Sequence, residues 1–128
     1  MRRTAMLVLA VAACALPAPA TAAPRASDFS LPVRADGALA HAAAAHRTWT
    51  SPVIRPGRTF HVFGLRWTRA SGQVHAEVRV AEPGKPWRRW TEVSTADADG
   101  RGSDPVWAGG ADRLQIRLSG RVEGLRVH

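Results

Sequence analysis

Val74-His75-Ala76-Glu77-Val78-Arg79-Val80 and Arg113-Leu114-Gln115-Ile116-Arg117-Leu118-Ser119 decide the fold class. Both alternate apolar and polar side chains with a period of two, the repeat of an extended chain that buries one face. The alternation puts Val74, Ala76, Val78 and Val80 on one inner face and Leu114, Ile116 and Leu118 on another. Strands with one wet face are characteristic of antiparallel sheets.

Working outward, residues 59–68 are apolar on both alternations, with Phe60, Val62 and Gly64 on one and Phe63, Leu65 and Trp67 on the other. Either this strand is covered on both faces or a bulge near Gly64 switches the inner face. Trp67 shares its face with Phe63 and Leu65 and is expected in the core. Shorter strands are expected at 90–93, 106–108 and 125–128, and an edge strand that tolerates Pro32 at 29–33. Turns are expected at Ala70-Ser71-Gly72, Glu82-Pro83-Gly84 and Asp99-Gly100. Six or seven short strands at this spacing give an all-β fold, an antiparallel β-sandwich of which a jelly roll is one form. The last strand reaches the end of the chain, which reads as truncation at the C-terminus.

Met1-Arg2-Arg3, an apolar run to Leu16 and Ala20-Thr21-Ala22 have the three-part layout of a secretory signal peptide cleaved after Ala22. The run is shorter than the ~20 residues that span a bilayer, so no transmembrane segment is expected in the mature chain. The expected organisation is a signal peptide at 1–22, a tether with an edge strand and an Ala-rich segment at 23–47, and the β-sandwich at 48–128. The expected location is extracellular or in the cell wall, reached by either Sec or twin-arginine export. Val11-Ala12-Ala13-Cys14 offers a lipoprotein alternative through Cys14.

Composition narrows the chemistry. The chain has 128 residues, one Cys, 18 basic and 10 acidic side chains, and a net charge of +8. Cleavage after Ala22 removes the only thiol, and with it any disulfide, Cys nucleophile or Cys-containing zinc site. No G-x-S-x-G elbow and no H-E-x-x-H pair is present, and His41 and His46 read as exposed residues of a loose segment. His61 and His75 read as a surface pair on adjacent strands. The stretch from Thr95 to Gly100 resembles part of a calcium loop but lacks its first Asp and last Glu, so it reads as a solvated acidic turn. No catalytic residue, metal site or cofactor is expected. The basic charge points to anionic cell-wall polymers, and the export signal points away from nucleic acid.

The candidate ligand-binding residues are Trp87, Arg88, Arg89 and Trp90. Indole faces beside arginines can stack on sugar rings, and the guanidinium fork fits phosphate and carboxylate. Trp107, like Trp67, is expected to fill the core.

The G-L-R-W strand at 64–67, the W-x-x-W pair at 87–90 and the S-D-P-V-W-x-G-G-A-D run at 103–112 also carry a resemblance. They resemble the N-terminal β-rich region of secreted actinobacterial peptidoglycan recognition proteins, which are N-acetylmuramoyl-L-alanine amidases. The resemblance spans residues 27–128 and is best from 60 onward. It implies a secreted, noncatalytic companion of a zinc-dependent amidase domain, associated with cell-wall peptidoglycan. The alternative is a structural remnant of such an amidase without a ligand of its own. The zinc ligands would lie in the amidase domain, which this chain lacks.

Overall fold

A computed structural model describes residues 28–95 and 100–128. The signal segment, Cys14 and most of the acidic turn lie outside them.

Nine strands and one helix are present among the described residues: β1 (Leu31–Pro32), α1 (Asp36–Ala44), β2 (Trp49–Thr50), β3 (Phe60–Phe63), β4 (Leu65–Arg66), β5 (Arg69–Ala81), β6 (Thr91–Val93), β7 (Val106–Ala111), β8 (Arg113–Glu123) and β9 (Arg126–Val127). They form three antiparallel sheets, ordered β2-β8-β5-β6, β1-β9-β4 and β3-β7. The inner faces of all three meet in one core, as the alternation requires of an antiparallel sandwich.

β5 and β8 form the backbone of the largest sheet. Ala76 faces Leu118, Val78 faces Ile116 and Val80 faces Leu114 across the pair, and all six are buried. Their neighbours His75, Glu77 and Arg79, with Arg113, Gln115, Arg117 and Ser119, cover the outer face. The double alternation of 59–68 resolves at Gly64, where the chain leaves β3 for β4 and changes sheets. Gly64 exchanges two backbone hydrogen bonds with His128, at 2.7 and 3.1 Å, which anchors the crossing to the end of β9. Phe63, Leu65 and Trp67 are thereby buried together.

Three expectations change. The turn expected at Ala70-Ser71-Gly72 is absent, because β5 continues through it. Gly72, at φ +76°, lies in a register shift between Ser71 and His75, where the β5–β8 ladder slips and resumes. His61 and His75 are both exposed but do not pair: β3 and β5 belong to different sheets, His61 lies against Trp107, and His75 sits 4.0 Å from Glu92. Residues 31–44 also do more than tether. β1 pairs with β9, and α1 buries Leu39 in the core while Asp36 Oδ1 accepts a hydrogen bond from the Gly124 amide at 3.0 Å. That tertiary anchoring is what a nine-residue, Ala-rich helix needs to persist.

Candidate functional site

The segment after β5 positions the aromatic residues. Glu82-Pro83-Gly84-Lys85 reverses the chain, with Gly84 at φ +67° and the Lys85 amide donating to the Glu82 carbonyl. The Arg88 amide then donates to the Val80 carbonyl at 2.9 Å, which folds residues 86–90 back along the sheet. Arg113 holds the turn from beneath, donating to the carbonyls of Glu82 (3.2 Å) and Lys85 (2.6 Å).

Trp87 and Trp90 enter an arginine ladder on the outer face. The guanidinium of Arg79 lies 4.8 Å from the ring centroid of Trp87 and 4.7 Å from that of Trp90. Arg113 lies 5.2 Å from Trp87, and Arg117 lies 4.1 Å from Trp90. The contacts run in the order Arg113, Trp87, Arg79, Trp90, Arg117, an unbroken series of cation–π pairs. Arg79 is fixed further by two hydrogen bonds to Gln115 Oε1, at 3.0 and 2.6 Å, and Arg117 by Glu77 at 3.8 Å. Both indoles are half-buried. The arginines that sequence reasoning placed beside these rings as ligand contacts instead use the rings themselves as partners.

Trp107 has the opposite placement from the one expected of it. It is 69% exposed, whereas Trp67 is 4% exposed and donates from Nε1 to the Gly100 carbonyl at 3.1 Å. The reason lies in the parity of β7: Ala108 is buried at 0% exposure, so its neighbour Trp107 must point outward. The small side chain of Ala108 serves the core where a large one was expected. Gly109 and Gly110, at φ +60° and +86°, then leave open ground beside the indole.

Side chains from two further elements gather on that ground. Arg88 Nη2 and Trp107 Nε1 lie 3.1 and 3.3 Å from where a Cβ on Gly109 would sit, so glycine is needed there for space as well as for backbone angle. Arg88 is ion-paired with Glu82. On the other side the His61 ring lies 5.8 Å from the Trp107 ring, tilted by 34°. His61 and Val62 both face outward because the β3–β7 register shifts between Phe60 and Val62. The result is an open indole flanked by an imidazole, a guanidinium and a carboxylate, carried by β3, β7 and the segment after β5.

Of the four residues singled out in the sequence, Arg88 reaches this site, Trp87 and Trp90 belong to the ladder, and Arg89 is exposed without a hydrogen-bond or ion-pair partner among the described residues. Two adjoining clefts of about 410 and 400 Å³ share Asp28, Arg66 and His128, but their linings mix both signs of charge and contain no exposed aromatic ring. Among the described residues no cluster of three His, Cys, Asp or Glu side chains could hold a metal ion, and no helix is long and apolar enough to cross a membrane.

Comparison with known proteins places this geometry in a family. The family described as Rv3811 N-terminal galactose-binding domain-like matches residues 13–126, nearly the whole chain. No curated protein and no solved structure matches. The antiparallel β architecture agrees with that description, and the chain belongs to the Rv3811 N-terminal galactose-binding domain-like family.

Proposed function

We propose that this chain is an exported, noncatalytic module that binds a cell-wall polysaccharide by stacking a sugar ring on Trp107, with Arg88, Glu82 and His61 supplying hydrogen bonds at the rim. The observation that carries the reading is the exposure of Trp107 in a domain that buries Phe60, Phe63 and Trp67 almost completely. A large ring left in water costs solvation free energy that a partner recovers, and the apolar face of a pyranose suits an indole. The galactose-binding-like family supports a carbohydrate as that partner. The excess of basic residues acts at longer range, drawing the module to an anionic wall within roughly a Debye length, ~8 Å at physiological salt. Association with a peptidoglycan amidase, drawn from the motif resemblance, gives the module a role: it holds a catalytic partner at the wall.

Retention of the purified protein on isolated cell walls tests this. Trp107→Ala should weaken retention by roughly tenfold or more, the effect of removing a central aromatic contact. A second reading, in which this face packs against another domain and holds no sugar, draws on Val62, 48% exposed and paired with Trp107 across β3 and β7. In that case Trp107→Ala would leave wall retention unchanged.

A further inference from the structure

We infer that the Trp107 site selects an uncharged hexopyranose bearing adjacent hydroxyl groups, in preference to an acidic sugar or a polyol phosphate. This rests on the carbohydrate reading above and goes further by naming the ligand's charge. The observation is the pairing of Arg88 with Glu82 beside the indole. An arginine poised for an anion keeps its fork open, whereas this one already has a carboxylate.

The two side chains are 43% and 40% exposed, so both remain within reach of a ligand. Together they offer guanidinium donors next to carboxylate acceptors with no net charge. A sugar hydroxyl both donates and accepts, so two neighbouring hydroxyls can give a hydrogen bond to Glu82 while receiving one from Arg88. An anionic ligand gains nothing from such a pair: to reach Arg88 it must displace Glu82 and then face that carboxylate. The next charges along the chain are matched as well, since Asp112 holds Arg113 at 2.8 Å and stands 4.0 Å from Arg55. The net positive charge of the chain therefore works away from the indole, and recognition at Trp107 is separate from attraction to the wall.

Neutral galactan and polygalacturonate form a matched pair of probes, because their rings differ chiefly in a carboxylate. Affinity electrophoresis or calorimetry with the full chain at 50 and 500 mM NaCl separates the possibilities. Galactan is expected to bind with an affinity that changes less than about twofold between the two salts, since no counterions are released. Polygalacturonate is expected to bind roughly tenfold more weakly. Glu82→Gln, which leaves Arg88 without its counter-charge, should raise affinity for polygalacturonate and make it salt-sensitive. Tighter, Trp107-dependent binding of polygalacturonate that salt abolishes would overturn the selectivity while leaving the stacking site intact. Binding of both polymers that ignores Trp107→Ala, or of neither, would remove the site itself and this inference with it.

Discussion

Replacing Arg79 with Ala tests the arginine ladder, because this one side chain joins its two halves. Its guanidinium lies under 5 Å from both Trp87 and Trp90 and donates twice to Gln115, which in turn donates to the Ser51 carbonyl at 3.0 Å. Half-buried cation–π contacts contribute about 1 kcal/mol each. A hydrogen bond from a charged donor contributes about 1.5 kcal/mol or more. Freeing a long side chain returns about 1–2 kcal/mol of entropy. The net loss is then about 2–3 kcal/mol, which lowers the melting temperature by about 10–20 °C in a domain of this size. Circular dichroism melts of wild type, Arg79→Ala, Trp90→Ala and the double variant form a thermodynamic cycle with an expected coupling of about 0.5–1.5 kcal/mol. Galactan affinity should not change in Arg79→Ala, since the ladder lies apart from Trp107. A melting shift under about 3 °C with no coupling would show that the rings and the guanidinium are independent and would refute the ladder as a stabilising element.

Three further outcomes follow from burial and backbone geometry. Trp67→Ala should cost about 3–5 kcal/mol and leave the domain close to unfolded, whereas Trp107→Ala should cost under about 1.5 kcal/mol; denaturant titration measures both. Gly120→Ala places a Cβ 2.5 Å from the Gln73 carbonyl oxygen at φ +102°, so it should cost about 3 kcal/mol or more. Gly72→Ala, at φ +76° with nothing within 4 Å of the added carbon, should cost only about 1 kcal/mol, and equal losses in the two would discount the β5–β8 close approach at Gly120.

The inner faces of β5 and β8 were legible in the sequence because half-buried strands must alternate, and the double pattern at 59–68 correctly marked Gly64 as a place where the inner face changes. Ala70-Ser71-Gly72 was misread because a bulge and a turn use the same residues: both need a positive φ, and only pairing to β8 tells them apart. Trp107 was misread because its size argued for the core, while the parity of Val106-Trp107-Ala108 and the two glycines that follow argued against it. The ladder was half visible. Alternation placed Arg79, Arg113 and Arg117 on outer faces, and the W-x-x-W spacing was plain, but nothing local says that residues 86–90 fold back across that sheet. The grouping of His61, Arg88 and Trp107 depends on three elements far apart in sequence and has no local signature.

The five tryptophans make one direct measurement of the central claim available. Each indole N–H gives its own resonance in a nitrogen-15 correlation spectrum, and titration with a galactose-containing oligosaccharide reports which ring meets sugar. The account predicts that the Trp107 indole shifts with saturation, accompanied by the side-chain signal of Arg88, while the buried Trp67 indole stays in place. Saturable shifts at Trp87 and Trp90 with Trp107 unmoved would contradict it and assign sugar binding to the arginine ladder instead.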